Sequence, residues 1–491
     1  MHLRRSVPPL LAGLLLLGVL WGGISPDPAS AQTSVQTGAT GRPNFLIILS
    51  DDQRFDTMDY MPRVKARIFA EGVAFSKAYI TTPLCCPSRA SILTGMYAHK
   101  HGVRLNTHPL RKETFVERIA KRDYFTGQVG KYLNSWDGAA RPEFNFWVAG
   151  PGGVAHYFNP RLNVNGTWTA HQGYLTHILR DYAMEFLRRA AQQKKPFVLL
   201  FSPNAPHFSY APSGGAPRGP LDISFFMRPP EPAPGDEKLY EDLPAHRPPS
   251  FNRVDRATKP RWFRSLLPLT PDLIAQIDAF RRKQLQSLTA LDQAIDSLLT
   301  ALAGQGKLDE TLVLYLSDNG HFWGEHGIPW GKNAVYEESS RVPFAVRYPR
   351  LAPRPRAEEK LVANIDIAPT IYELAGLPIP PEVDGRSLVP LLDTRRAQTA
   401  PALPWREELL IEGWAAAPAL ELGWAPYAAI HTGRYVYVET EGDRSELYDL
   451  TTDPHEQHNQ VGNPTYMPVV ADLKARLKRV RPASTTEPPQ R

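Results

Sequence analysis

Cysteine is nearly absent from this chain of 491 residues: there are two, Cys85 and Cys86, side by side. That scarcity excludes a disulfide-stapled scaffold, and it excludes zinc sites built from four cysteines or from two separated cysteines and two histidines. Long hydrophobic runs are lacking as well. The longest, from Val7 to Leu20, is shorter than the roughly 20 residues a membrane-spanning helix needs, so no stable membrane span is expected. A large excess of one charge is also missing. Lys and Arg number 56 against 50 Asp and Glu, a net +6 that suits an anionic substrate but falls far short of a nucleic-acid-binding stripe. Hydrophobic residues reach 42%, which excludes a disordered chain and allows a large core.

The amino terminus has the three parts of a secretory signal. Met1-His2-Leu3-Arg4-Arg5 is a charged start, Val7–Leu20 is an apolar middle, and Ala29-Ser30-Ala31 is a small-residue cleavage site. A signal peptide over 1–31 is therefore expected, with a secreted or periplasmic product. Arg4-Arg5 is also compatible with a twin-arginine export signal, and equally with an ordinary one.

Asn44-Phe45-Leu46-Ile47-Ile48-Leu49 is an almost continuous apolar run, the pattern of a strand buried on both faces in a parallel sheet. Similar runs stand at Pro196–Phe201 and Thr311–Leu316, with shorter candidates at Val73–Tyr79, Tyr124–Val129 and Val342–Arg347. Between them lie helical patterns, the clearest from Thr270 to Ala303. Thr270 is its N-cap and Pro271 its first residue; Leu285, Leu288, Leu291, Ile295, Leu298, Leu299 and Leu302 make one apolar face, and Gly304 ends it. The fold class expected is α/β: a large, mostly parallel sheet flanked by helices over residues 42–400. Short alternating strands at Glu408–Glu412, Tyr427–His431, Arg434–Val438 and Glu446–Leu450 then predict a small antiparallel C-terminal subdomain over 401–482, followed by a polar tail at 483–491. Proline is abundant, and ten of the 48 fall in residues 212–249. No regular element survives that density, so the stretch reads as a long surface excursion, either a substrate-facing lid or plain decoration.

Enzymes built on such sheets place their sites at the carboxyl ends of the strands. Ser50-Asp51-Asp52-Gln53 follows the first apolar run, and Ser317-Asp318-Asn319-Gly320 follows the run through Val313. Asp51, Asp52, Asp318 and Asn319 would supply an all-oxygen site for a hard cation, Ca2+ ahead of Mg2+ and not zinc. Either segment alone reads as a helix cap; the pair together favours metal.

The segment Cys85-Cys86-Pro87-Ser88-Arg89-Ala90-Ser91-Ile92-Leu93-Thr94-Gly95 contains C-x-P-S-R followed by A-S-x-L-T-G. It resembles the signature of the formylglycine-dependent sulfatases, a family of the alkaline-phosphatase-like superfamily. Spacing selects Cys85, not Cys86, as the residue that a formylglycine-generating enzyme would oxidise. The resemblance implies that the formylglycine hydrate, activated by the metal at Cys85, attacks a sulfate ester. Pro87 in a first helical turn would set this group at a helix N-terminus, where anions are stabilised.

The resemblance extends along the chain. Gly130-Lys131-Tyr132-Leu133-Asn134 looks like the family's first lysine segment, Asn204-Ala205-Pro206-His207 like its A-P-H segment, and Gly331-Lys332 with Tyr336-Glu337 like its second lysine segment. Segments at Asn364–Thr370, Asp384–Leu388, Glu446–Leu450 and Asp453-Pro454 also match family segments distal to the site. Many sulfatases carry histidine where this chain has Leu133. G-K-Y-L-N and the double cysteine look more like the N-acetylglucosamine-6-sulfatase and heparan endosulfatase branch, which implies a sulfated sugar such as glucosamine-6-sulfate, as a small molecule or within a glycan. The missing histidine leaves His207 and His321 as candidates for deprotonating the diol, with Asn134 and His326 as further pocket candidates. Arg89, Lys131 and Lys332 would offset the charge of the sulfate as it moves to the leaving oxygen. His207 could protonate the departing alcohol, because imidazole titrates near neutral pH. Two other readings stay open: a phosphate or phosphonate ester hydrolase of the same superfamily, in which Asp-His would be usual in place of Asp318-Asn319, and a catalytically silent carbohydrate-binding relative.

Overall fold

Each central strand alternates its side chains between two cores. In the computed structural model, which describes residues 41–153, 156–210, 227–253, 257–393, 404–415 and 425–481, Phe45, Ile47 and Leu49 enter one core. Leu46 and Ile48 enter the other. Both faces are covered, which is why the run at 44–49 is apolar without a break. The strands of the main sheet are β1 (Asn44–Ser50), β2 (Val73–Phe75), β3 (Phe125–Gly130), β4 (Phe146–Ala149), β5 (Arg161–Val164), β6 (Thr167–Ala170), β7 (Phe197–Ser202), β8 (Thr311–Ser317), β9 (Phe344–Arg347) and β10 (Arg356–Glu358). Their order across the sheet is β10-β2-β9-β8-β1-β7-β3-β4-β5-β6. From β8 to β4 the neighbours run parallel, and antiparallel strands extend the sheet beyond both ends of that block. The expected α/β fold is present.

Helices close both faces. One core is completed by α1 (Cys85–Thr94), and the other by α2 (Leu175–Ala191) and α3 (Pro271–Gly304). In α3 the Thr270 side chain accepts a hydrogen bond from the Leu273 amide, Pro271 opens the helix, and the leucine face named above is buried. The helix runs through Gly304, one residue past the expected end, and the left-handed turn falls at Gly306 instead, with φ 66°. Also, Val73–Tyr79 is not a single strand. Only Val73–Phe75 joins the main sheet, while Ala78–Tyr79 pairs with Val362–Ala363 in a separate ladder. Strand β4 is an unanticipated apolar Phe-Trp-Val-Ala run, whereas β5, β6 and β10 carry no clear apolar signature.

The C-terminal strands β11 (Leu409–Gly413), β12 (Tyr427–His431), β13 (Tyr435–Thr440) and β14 (Glu446–Asp449) form the antiparallel sheet anticipated there. Helix α4 (Met467–Val480) packs Leu473 and Leu477 into the third core with this sheet. The expected signal segment 1–31, the tail 483–491 and residues 212–226 of the proline-rich stretch lie outside the described residues. The remainder of that stretch contributes one two-residue strand, Met227–Arg228, paired with Ser209–Tyr210. Among the described residues no helix is long and apolar enough to cross a membrane.

Candidate active site

Four adjacent parallel strands, β8, β1, β7 and β3, end at one edge of the sheet, and the segment following each delivers a polar side chain there. Register fixes the alignment: Ser50 lies opposite Ser317, and Gly130 opposite Ser202. Backbone bonds then tie the exits together, from Asp318 N to Ser50 O at 3.1 Å, Asp51 N to Ala205 O at 3.2 Å and Lys131 N to Ser202 O at 2.7 Å. Gly130 turns the chain at φ 110°, where a Cβ would stand 2.1 Å from the Ser202 carbonyl, so only glycine fits.

Cys85 is the first residue of α1, a helix whose ten residues are all buried. The Cys86 amide donates to Asn106 Oδ1 at 3.0 Å, and Asn364 Nδ2 donates to the Ser88 hydroxyl at 3.1 Å. At the other end of α1, the Asp384 and Gly385 amides donate to the Gly95 carbonyl. The segments at Asn364 and Asp384 thus brace the helix that carries Cys85.

The nine residues read as catalytic or metal-binding come together at this edge. Lys332 Nζ donates to Cys85 Sγ at 2.9 Å and also to Asp52 Oδ1. Asp51 Oδ1 lies 3.9 Å from the same sulfur. Lys131 Nζ donates to Asp51 Oδ2 at 2.7 Å, and Arg89 Nε donates to Asp318 Oδ2 at 2.8 Å. The Asn319 amide nitrogen donates to Asp52 Oδ1 at 2.7 Å. His207 Nδ1 bonds the Phe208 carbonyl at 2.8 Å, which turns Nε2 toward Asp52 Oδ2, 3.7 Å away. Its loop is fixed by Tyr157, whose hydroxyl donates to the His207 carbonyl at 2.7 Å.

Burial sets the electrostatics. It would raise the Asp52 carboxyl, but Lys332 first, then His207 and His321, hold it at about 2. Asp51 is likewise lowered, its burial outweighed by His207, Lys131 and Arg89. Burial pushes the Cys85 thiol up to about 11 against the pull of Lys131 and Lys332, so an unmodified thiol there stays protonated at neutral pH. Burial also keeps His207 below its ordinary value and drops His321 to about 3.

The donors present fit a hard divalent cation. Asp52 Oδ2 and Asn319 Oδ1 are buried oxygens without hydrogen-bond partners, and Asp51, Asp52, Cys85 and His207 each offer a ligand atom within 4.8 Å of the others. Asp318 stands beside that group, with Oδ1 accepting from the Asp52 amide at 3.2 Å.

The sulfatase family model matches residues 43–377. The chain belongs to the sulfatase family. A second model, described as N-sulphoglucosamine sulphohydrolase, C-terminal, matches residues 324–483 of this sulfatase-family chain. It is 32% identical over 395 residues to the extracellular sulfatase SULF-1 homolog of Drosophila melanogaster, covering 76% of this chain and 33% of the relative, so it spans about a third of that protein's length. It is 31% identical over 443 residues to the N-acetylglucosamine-6-sulfatase of Homo sapiens, covering 84% of this chain and 74% of the relative. Its fold is shared with a structure described as a complex with its substrate D-glucosamine-2-N,6-O-disulfate, at a TM-score of 0.75 and 24% identity, over 89% of this chain and 97% of that one.

The remaining candidates separate in this sulfatase fold. His321 joins the site: its ring stacks on Phe280, its Nε2 accepts from the Gly331 amide at 3.4 Å, and its Nδ1 lies 3.8 Å from Asp52 Oδ2. Leu133 is buried in the apolar core beside Cys86. Asn134 follows it with a buried, unpartnered amide oxygen. His326 does not turn toward Cys85. Its ring stacks on Tyr336 and its Nε2 faces Glu338 at 3.5 Å. One contributor is unanticipated. Arg54 is buried, donates to the His321 carbonyl at 2.9 Å, pairs with Glu325 at 2.9 Å and lies over the Trp323 ring. Its place just after Asp51-Asp52-Gln53 is the one signal the sequence offers for it.

Proposed function

We propose that this chain is a secreted or periplasmic sulfatase. It releases inorganic sulfate from a sulfate ester on a sulfated sugar, of the glucosamine-6-sulfate type, using a formylglycine made from Cys85 and one Ca2+. The observation that carries the reading is the position of Cys85. It opens a buried helix, 2.9 Å from the Lys332 ammonium, in surroundings that keep a plain thiol protonated, its pKa pushed up to about 11. A cysteine nucleophile would need the opposite environment.

Asp51, Asp52, Asp318 and Asn319 would hold the cation, with residue 85 at its edge. Bound there, Ca2+ supplies Lewis-acid charge and the hydrated aldehyde supplies an oxygen nucleophile. The side chains of the protein do the rest. Lys131, Lys332 and Arg89 place three fixed positive charges around the sulfate, in a site where burial weakens screening. His207 has Nδ1 committed to the Phe208 carbonyl, which leaves Nε2 to accept the proton of the attacking hydroxyl and then pass it to the departing sugar oxygen. His321, whose Nε2 accepts from the Gly331 amide, turns Nδ1 to the Asp52 carboxylate and positions it. The relative and the neighbouring structure named for glucosamine sulfates support the choice of sugar.

The test has two arms. Mass spectrometry of the tryptic peptide containing Cys85, from protein made with a formylglycine-generating enzyme, should show the aldehyde; an unmodified thiol in active protein removes the mechanism. A panel of glucosamine-6-sulfate, aryl sulfate and heparin oligosaccharides, each beside its phosphate analogue, should show release from the sulfated sugars. Preference for the phosphates would return the reading to a phosphoester hydrolase.

A further inference from the structure

Away from the catalytic edge, three chain segments bury a second set of ligand-type side chains. His326 comes from the Gly324–Gly327 turn, Glu338 from the short helix Glu337–Ser340, and Glu456 from the turn after β14. All three are more than nine-tenths buried, at 2%, 6% and 1% exposed. His326 Nε2, Glu338 Oε2 and Glu456 Oε1 have no hydrogen-bond partner, yet one ligand atom of each lies within 4.8 Å of the others. The rest of the surroundings is already committed. Glu456 Oε2 accepts from the Glu337 amide at 2.9 Å. Glu337 itself is paired with His431 at 3.1 Å and Arg341 at 3.3 Å. Lys259 directs Nζ to the Tyr448 hydroxyl at 2.5 Å and the Glu456 carbonyl at 2.8 Å. Two buried carboxylates and an imidazole are thus aimed at a common point, where facing carboxylates repel unless a positive charge stands between them.

We infer that His326, Glu338 and Glu456 form a second divalent-cation site, distinct from the catalytic metal and selective for a different ion. One imidazole nitrogen with two carboxylates is the donor set of Zn2+ or Mn2+, whereas Ca2+ prefers oxygen alone. The ion would fasten the C-terminal Asp453–Glu456 segment to the stretch between Gly324 and Ser340. That stretch also carries Lys332, so the ion supports the active site through the backbone without touching the substrate.

The test uses the full chain, stripped with a chelator, and an Asp318→Asn variant in which the catalytic ligands are disrupted. Each is loaded separately with Zn2+ and Mn2+, passed through gel filtration and assayed for metal by mass spectrometry. One equivalent of one of these ions is expected in both proteins, with an upward shift in thermal unfolding. Glu338→Gln and Glu456→Gln should each weaken that binding by at least about tenfold and remove the thermal shift. Failure of the wild-type chain to retain either ion overturns the inference, as does undiminished binding in Glu338→Gln. A shared proton in place of the ion gives the first of these results. The wild-type measurement stands even if a variant does not fold.

Discussion

At the carboxyl edge of the main sheet, Asp51, Asp52 and Asp318 are buried with Lys131, Arg89 and the partly exposed Lys332, one cation close to each carboxylate. At the junction with the C-terminal sheet, Glu337, Glu338, Glu446 and Glu456 are buried in a group where Lys259 is the shared lysine. The first cluster is balanced before any ligand arrives, so it can take a metal cation and a sulfate anion together without a large change in net charge. The second has a surplus of acid and can accept only positive charge. The sign of the ligand each cluster can take is therefore readable from how completely buried charges answer one another.

Removing residues from the balanced cluster should have the largest effects. Cys85→Ala is expected to abolish sulfate release, whereas Cys86→Ala, in the apolar core, should keep substantial activity; equal loss in an ester-sulfate assay would undo the assignment by spacing. Lys131→Ala leaves Asp51 without its closest cation and should cost about 3–5 kcal/mol in urea unfolding, the usual penalty for stranding a buried charge. A loss below about 1 kcal/mol would show that the pair is far more solvated than its burial implies. Asp318→Ala should remove Ca2+, and normal calcium content by elemental analysis would falsify the proposed metal site.

The sharper contrast is in pH dependence, measured on chelated protein. Asp52 is held at about 2, below its ordinary 3.8, so its contribution to stability is present above about 3.8 and is lost as the pH falls toward 2. Burial first, then Glu337 and Glu338, push the Glu456 carboxyl well above its ordinary 4.5. Its sign is opposite: it takes stability away above 4.5, where the unfolded chain is ionised, and that loss is relieved as the pH falls to that value. Glu456→Gln should therefore be more stable than wild type at pH 7, by about 1 kcal/mol or more, since a tenfold change in proton affinity is worth about 1.36 kcal/mol. The advantage should shrink on acidification to pH 5. A constant difference across that range would erase the contrast between the two clusters.

Much of the catalytic edge is legible in the amino-acid sequence. Asp51, Asp52, Asp318 and Asn319 follow continuous apolar strands, and a strand buried on both faces has a site only at its end. His207 is placed by the same argument. Lys332 follows no strand; family resemblance points to it, and its contact with Cys85 depends on a loop. Arg54 escapes notice because an isolated arginine reads as surface charge until Glu325 and Trp323 are seen beside it. The second cluster is hidden for a similar reason. Glu338 and Glu456 look like solvated acids in a sequence, and only their packing shows that water does not reach them.

Side-chain period, spacing and donor type are local properties of a chain, and they suffice for several features of this one. They give the apolar strands of the sheet, and with the family resemblance they are the ground for proposing Cys85 over Cys86 and a hard-oxygen ligand set. Folding in three dimensions settles the rest: which cation answers which carboxylate, which histidine joins the site, and that His326 turns toward Glu338 and Glu456 instead. Those outcomes depend on burial and on distances between segments far apart in the chain, and buried electrostatics changes steeply with both.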